Sequence, residues 1–181
     1  MKKKSSYCRD LIEKLEQEGY AVWNLIEILP LGDFINLYRL FYEEFPEAKN
    51  GINFTYPMLS IKNLRNAAAH NNCILNQLTK GVPSEVHTNG KITSYVSSIP
   101  TISKDHRKNC MKMQAVHDFV TLLFVLDNAV ESEGVKRKII EELRELINVR
   151  MLKHKDYFKT NNELKTVHEF IKKIVDSFPD S

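Results

Sequence analysis

The stretch Leu64-Arg65-Asn66-Ala67-Ala68-Ala69-His70-Asn71-Asn72 lies within the clearest helical pattern of this 181-residue chain. Pro57 suits the first turn of a helix, and the pattern predicts that this helix continues to about Leu78. Apolar side chains recur along it at steps of three, four and seven residues, which places them on one face toward a core. They are Ile61, Leu64, Ala68, Leu75 and Leu78.

The composition favours a helical protein as well. Hydrophobic residues make up 43% of the chain and charged residues 27%, whereas only 6 Gly and 6 Pro occur. These values exclude collagen-like and disordered chains and disfavour an all-β protein rich in turns. The length suffices for one globular domain with its own core. We therefore predict an all-α bundle in which residues 1–181 form a single domain.

Charge, cysteines and hydropathy limit the function without defining it. The formal net charge of +3 is too balanced to identify a nucleic-acid-binding protein. Cys8, Cys73 and Cys110 form no C-x-x-C pair, which argues against a disulfide framework or a structural zinc site. The longest dense apolar run, 119–126, is far shorter than the roughly 18 residues that cross a bilayer. We expect a cytoplasmic protein with no membrane anchor, no metal and no cofactor.

Further helices are predicted on both sides of the central pattern. A first amphipathic helix spans Ser6 to about Glu18 and ends at Gly19, because a glycine there can stop a helix. The segment from Ala21 to Phe45 predicts a short helix, a break and a longer helix that ends near Pro46. The break contains Pro30 and Gly32, and Asp33 is placed to cap the longer helix.

The composition of the chain changes at the start of its second half. Residues 80–108 predict a long connector, which is either a functional loop or holds a short hairpin at Asn89-Gly90. Three helices are predicted after it. They run from about Asn109 to Glu131, from Val135 to Val149, and from a cap at Asn161 or Asn162 to near Phe178.

The candidate chemistry lies in the central pattern, where Arg65, Asn66 and His70 lie close together. At about 100° per residue, Asn66 and His70 share one face of a helix, whereas Arg65 and His70 lie roughly 140° apart. Histidine can take a proton from a ribose 2′-hydroxyl or return one to a leaving oxygen, and arginine can hold the phosphate. The three intervening alanines would let a second helix approach closely. This combination suits metal-independent RNA cleavage at a groove between two helices.

The spacing by itself leaves a purely structural explanation open. Arg65 then is a surface cation, His70 is an ordinary helix histidine, and the alanines are good helix formers. A pattern of two residues five positions apart is too short to decide between the two explanations.

A resemblance to a known family favours the chemical explanation. Residues 64–71 resemble the R-x4-H helix of the HEPN superfamily, and especially the Abi-like proteins (abortive infection, AbiD and AbiF type). The similarity spans roughly residues 20 to 150, although this chain has Asn71 and Ile74-Leu75 where relatives often have a second His or a Trp, and relatives are often longer. Three ordered segments carry it: 64–71 with Leu75-Asn76, 26–34 with Leu37-Tyr38, and Ile99-Pro100 leading to 119–123.

The resemblance implies a HEPN-like helical bundle, usually dimeric, in which paired R-x4-H motifs form one composite ribonuclease site. Arg65 and His70 would be the catalytic pair, with Asn66 and Asn71 in supporting positions. The protein would then be a metal-independent endoribonuclease of phage defence or a related toxin, with RNA as its substrate and an antitoxin or regulatory protein as a further partner. Weaker RNA contacts are expected from basic side chains near the motif and in the connector. These are Lys62, Lys80, Arg107 and Lys108.

One alternative function and one alternative histidine stay open. A HEPN-like module can bind a nucleotide or a partner protein without catalysis. His117 lies near the apolar run and is the second choice if His70 proves inert. The other histidines show no metal-ligand spacing and are expected to be ordinary. They are His87, His106, His154 and His168.

Overall fold

A computed structural model describes residues 12–13, 19, 21–48, 53–74, 78 and 90–179 of the chain. All regular secondary structure in these residues is helical, which confirms the predicted all-α class. The chain divides into two compact units, residues 1–51 and residues 52–181. The single domain over residues 1–181 stays a prediction.

The described part of the first unit consists of two helices. Helix α1 (Val22–Ile28) and helix α2 (Leu31–Glu44) flank a break at Pro30, and a 3₁₀ turn (Pro46–Ala48) follows. This arrangement confirms the predicted short helix, break and longer helix. The predicted cap at Asp33 is wrong, because Pro30 occupies the N-cap position and Asp33 lies inside the first turn. Its carboxylate there still suits the positive end of the helix dipole.

The predicted first helix lies mostly outside the described residues. Ile12 and Glu13 are helical, and the Ile12 side chain is buried. Gly19 has a φ of +88°, a conformation that L side chains rarely adopt and that commonly ends helices.

The second unit contains the remaining helices. Helix α3 (Thr55–Ala69) carries the motif, and α6 (Gln114–Ala129) is the most apolar. Between them lie α4 (Gly90–Ser97) and α5 (Lys104–Cys110). After α6 follow α7 (Glu133–Glu145), a π-helical turn (Leu146–Arg150), a 3₁₀ segment (Met151–Phe158) kinked at His154, and α8 (Asn162–Asp176).

Side-chain caps explain where three of these helices begin. The Ser103 hydroxyl accepts a hydrogen bond from the backbone N–H of His106 at 3.2 Å, three residues into α5. Ser132 caps α7 in the same way. Asn161 Oδ1 accepts from the N–H of Leu164 at 3.0 Å, which confirms the predicted cap of the last helix. Each such cap typically stabilises a helix by about 1 kcal/mol.

Helix α6 forms the centre of the core of this unit. Its Val120 and Leu123 are fully buried, and so are Phe170 and Ile174 of α8. The motif helix α3 packs most extensively against α6, while α8 contacts α5, α6 and α7. Burying each large apolar side chain contributes about 1.5–3 kcal/mol to the stability of the folded unit. The buried side chains of α6 and α8 therefore stabilise this unit, and α3 packs along α6.

The structure corrects three predicted boundaries. The connector predicted over residues 80–108 is wrong from Gly90 onward, because α4 and α5 lie there and Gly90 begins α4 instead of a hairpin; residues 80–89 lie outside the described residues. The helix predicted from Asn109 is interrupted by a turn after Cys110, and α6 begins only at Gln114. The motif helix ends at Ala69 instead of near Leu78.

No helix within the described residues is both long and apolar enough to cross a membrane.

Candidate functional site

The motif lies where helix α3 ends. Asn71 adopts the left-handed conformation, with a φ of +53°. Its N–H donates to the carbonyl of Ala68 at 3.1 Å, and the N–H of Asn72 donates to the carbonyl of Ala67 at 2.9 Å. This pair of bonds is a Schellman motif, and asparagine is the non-glycine residue that tolerates its left-handed position best. Asn71 therefore terminates the helix.

This helix end explains why the predicted continuous helix is wrong. The apolar periodicity continues past Asn71, but two successive asparagines favour a left-handed stop over further helix. Ala68 is exposed rather than part of a buried stripe, whereas Leu78 does reach the core. As a result, His70 occupies the C-cap position and its side chain is exposed at the end of α3.

Arg65 lies one turn earlier on α3 and is also exposed. Its Nη1 donates a hydrogen bond to Asn66 Oδ1 at 3.2 Å. Asn66 in turn is half-buried, and its backbone carbonyl accepts from the N–H of His70 at 3.0 Å. Asn66 thus links the arginine to the helix turn that carries the histidine.

A cleft of about 320 Å³ opens between the end of α3 and the first turn of α6. Its walls come from α3, from the turn that follows it, and from α6. Asn66 and His70 line the cleft, but Arg65 and Asn71 do not. The other lining residues are Asn63, Leu64, Ala67, Asn72, Cys73, Ile74, Gln114, Ala115 and Asp118.

The α6 side of this cleft carries a buried carboxylate. Asp118 is only 3% exposed, and its Oδ1 accepts a hydrogen bond from Gln114 Nε2 at 2.7 Å. Among the described residues, Asp118 Oδ2 makes no hydrogen bond, and it is not fully enclosed by protein atoms. A buried carboxylate with spare acceptor capacity favours a ligand that donates hydrogen bonds.

His117 lies next to Asp118 but inside the core. Its ring is 6% exposed, and neither ring nitrogen makes a hydrogen bond within the described residues. Nδ1 lies 3.5 Å from Asp118 Oδ1, which is long for a hydrogen bond. His117 does not line the cleft, so the second-choice histidine is a buried neighbour of the cleft carboxylate rather than a surface group.

The expected basic contacts with RNA are spread over the unit. Lys62 is half-buried on α3, and Lys80 lies outside the described residues. Arg107 and Lys108 belong to helix α5, which packs against α4 and α8. None of the three described side chains, Lys62, Arg107 and Lys108, lines the cleft described above.

Two of the remaining histidines have structural partners. His106 Nε2 lies 3.1 Å from the carbonyl of Thr166, and His168 Nε2 lies 2.9 Å from the carbonyl of Ile147. His154 stacks on Tyr157, and His87 lies outside the described residues. In the part of the chain that the structure describes, no three His, Cys, Asp or Glu side chains are grouped to hold a metal ion.

The two described cysteines differ in reactivity for a physical reason. Cys73 is exposed and lines the cleft. Cys110 is buried at the end of α5, where burial, with a smaller effect from the negative charge of Glu169, raises the pKa of its thiol to about 11. Cys110 is therefore a core side chain and Cys73 a chemical handle on the cleft.

Sequence reasoning missed the α6 side of the cleft. Gln114 and Asp118 lie one helical turn apart on α6, and nothing in the motif itself points to them. The available signal was the carboxylate of Asp118 near the start of a mostly apolar helix, which also carries Asp127 near its other end, since a charged side chain is rarely buried unless it is paired.

Comparison with known proteins supports part of the resemblance. No curated protein and no solved structure matches the chain. A family model does match, over residues 1–76, and the family is described as Abi-like protein. The matched stretch includes Arg65, Asn66, His70 and Asn71, and it ends before the later segment that begins at Ile99. Through the end of the motif helix and the turn after it, this chain is thus similar to Abi-like proteins.

Proposed function

We propose that this protein is a metal-independent endoribonuclease of abortive-infection phage defence or of a related toxin system. Arg65 and His70 act together at a groove between two copies of the chain, as in HEPN-like ribonucleases. RNA is the substrate, and a regulatory protein such as an antitoxin restrains the activity.

The observation that carries this proposal is the position of the motif. The Abi-like match includes Arg65 and His70, and both side chains are exposed near the C-terminal end of α3 beside a polar cleft. A helix C-terminus repels anions, so a phosphate bound there needs a cation such as Arg65. The asparagine between them joins both residues and orients the guanidinium.

The reaction needs no group beyond these side chains. His70 accepts the proton of the ribose 2′-hydroxyl, whose oxygen attacks the adjacent phosphorus. The bond to the 5′-oxygen of the next nucleotide breaks, and the protonated His70 returns its proton to that oxygen, leaving a 2′,3′-cyclic phosphate and a 5′-hydroxyl. Arg65 stabilises the charge that grows on the phosphate oxygens. General acid–base catalysis by one such histidine contributes about 10²–10⁴-fold.

The exposure of Arg65 and His70 suits a site that two chains share. His70 lines the cleft whereas Arg65 lies outside it, which suits an arginine that acts with the His70 of a neighbouring copy at the rim of the cleft. The exposed Ala68 and Ala69 at the same helix end let another helix approach closely.

Replacing His70 tests the proposal directly. His70→Ala should lower RNA cleavage by about 10²-fold or more without changing the helical content or the unfolding temperature. His154→Ala is the matched control, because it also removes an exposed histidine but lies on the 3₁₀ segment outside the cleft. Equal cleavage by His70→Ala and the wild type would refute the proposal.

Mixing two inactive variants tests the shared site. If Arg65 of one chain works with His70 of another, equal amounts of Arg65→Ala and His70→Ala chains, refolded together, should regain cleavage through the mixed dimers. Sedimentation should show a dimer in the same sample. No recovery in a mixture that forms dimers would assign both residues to the same chain.

The cleft itself favours one second candidate, a nucleotide-binding module without catalysis. Purified protein that binds nucleotides at the cleft, forms dimers and cleaves no RNA would support that candidate.

A further inference from the structure

We propose that the cleft between α3 and α6 is a guanine-binding pocket, with the Asp118 carboxylate as the group that selects the base. This inference rests on the proposed function, because the bound base would belong to an RNA nucleotide next to the cleaved bond. It concerns side chains outside the R-x4-H motif.

The first support is the unused acceptor on Asp118. The side chain is almost completely buried, and the Gln114 amide occupies Oδ1 while Oδ2 has no hydrogen-bonding partner among the described residues. Because Oδ2 is not fully enclosed by protein atoms, a hydrogen-bond donor on a ligand can reach it from the cleft. A carboxylate is best paired by two adjacent N–H groups.

Guanine is the RNA base whose edge offers this pattern. Its N1–H and its N2 amino group lie side by side, whereas adenine and cytosine place an acceptor next to their amino group. Uracil has a single N–H between two carbonyls. Oδ1 keeps a second lone pair beside its bond to Gln114, so the Asp118 carboxylate can pair with guanine through two bonds and with each other base through at most one.

The amide side chains supply the complementary donors. Because Arg65 Nη1 donates to Asn66 Oδ1, the Asn66 amide is oriented with its Nδ2 group free to donate. A guanine carbonyl can accept from such an amide, but a guanidinium or ammonium ligand has no acceptor for it. Among the cleft-lining residues none is Lys or Arg, which disfavours a phosphate inside the cleft. A neutral base with both donors and acceptors fits this set of groups best.

The size of the cleft agrees with one base. Its volume of about 320 Å³ lies at the lower end of the range for small-molecule sites, roughly 300–1,000 Å³. Leu64 and Ile74 give it apolar wall on which the faces of a planar ring can pack.

Nucleotide titration of the full chain tests the pocket without any need for cleavage. We expect 5′-GMP to bind at least about tenfold more tightly than 5′-AMP, 5′-CMP or 5′-UMP, as measured by calorimetry. 5′-IMP keeps N1–H but lacks the amino group, so it should bind about tenfold more weakly than 5′-GMP. Equal binding of all five nucleotides, or no binding, would overturn the assignment.

Two variants and one reagent connect the binding to the cleft. Asp118→Asn should remove the preference for 5′-GMP over 5′-IMP, and Asp127→Asn, on the same helix but outside the cleft, should keep it. Alkylating Cys73 in the unmutated protein with a bulky maleimide should block 5′-GMP binding, a result that does not depend on the folding of a variant. An unchanged preference in a folded Asp118→Asn protein, or displacement of 5′-GMP by methylguanidinium at equal concentration, would refute the guanine pocket.

The outcome separates this inference from the proposed function. RNA cleavage that depends on His70 but shows no 5′-GMP binding would leave the ribonuclease and overturn the pocket. Selective 5′-GMP binding without RNA cleavage would leave the pocket and overturn the ribonuclease.

Discussion

The two helices that enclose the cleft, α3 and α6, differ in almost every physical respect. Helix α6 is buried along most of its length, including His117, Asp118 and Thr121, whereas α3 buries only Thr55, Pro57 and Ser60 and exposes its C-terminal end. In the proposed ribonuclease, the two helices therefore divide stability and chemistry between them. The buried helix provides a rigid wall with one carboxylate, and the exposed helix presents the groups that can meet a substrate.

The largest difference between the two helices should appear in stability. Leu123→Ala on α6 removes a side chain that is 1% exposed and should lower the free energy of unfolding by about 2–5 kcal/mol. Leu59→Ala on α3 is the matched substitution at a position that is 39% exposed, and it should cost clearly less. Urea unfolding followed by circular dichroism gives both values. Equal losses would show that α3 is as much a part of the core as α6.

Cysteine alkylation separates exposed and buried positions by rate. At pH 8 the thiol of Cys110, whose pKa is raised to about 11, is ionised to about one part in a thousand, and it is also buried. Cys73, beyond the end of α3, should be alkylated at least about 100-fold faster in the folded protein. The rate at Cys110 should rise as the pH approaches 11, because the thiolate is the reactive form. Peptide mapping by mass spectrometry measures both sites in one sample, and unfolding in urea should remove most of the difference.

The helix end at Asn71 should show a smaller effect. Asn71→Ala places a residue without asparagine's tolerance at a φ of +53° and should lower the free energy of unfolding by about 1–2 kcal/mol. Asn71→Gly should be neutral or slightly stabilising, because glycine adopts this conformation without cost from a Cβ atom. Thermal unfolding of the two variants compares them directly. If Asn71→Gly destabilises as much as Asn71→Ala, the side chain and not the backbone conformation matters at this position.

Sequence reasoning found most of the helices because their signals are local. The break before α2 at Pro30 and the cap of α8 at Asn161 depend on nearby residues, and both are confirmed. The errors arose where a local stop competed with a continuing period, as at Asn71, or where turn residues began a helix, as at Gly90. The apolar periodicity indicates which residues are buried. A residue in the left-handed conformation nevertheless ends the helix when backbone hydrogen bonds close its last turn, even where the periodicity continues.

Only the α3 side of the candidate site could be predicted from the sequence. The motif residues lie within about two helical turns at the end of α3, so their spacing in the sequence is enough to bring them together. They are Arg65, Asn66 and His70. Asp118 lies 48 positions after His70 in the sequence and reaches the cleft only through the packing of α3 on α6. Packing partners at such separation leave no spacing pattern in a single sequence, and for that reason the acidic wall of the cleft emerged from the structure.

The smallest effect should come from the buried histidine of α6. Because neither ring nitrogen of His117 makes a hydrogen bond within the described residues, replacing the ring by an apolar side chain removes a buried polar group that has no partner. His117→Leu should therefore leave the free energy of unfolding unchanged or raise it by about 1 kcal/mol, and His70→Leu on the exposed end of α3 should change it by less than about 0.5 kcal/mol. Urea unfolding at neutral pH measures both. A loss above about 1.5 kcal/mol for His117→Leu would mean that the 3.5 Å approach of Nδ1 to Asp118 Oδ1 is a stabilising contact, through which His117 positions the carboxylate of the cleft.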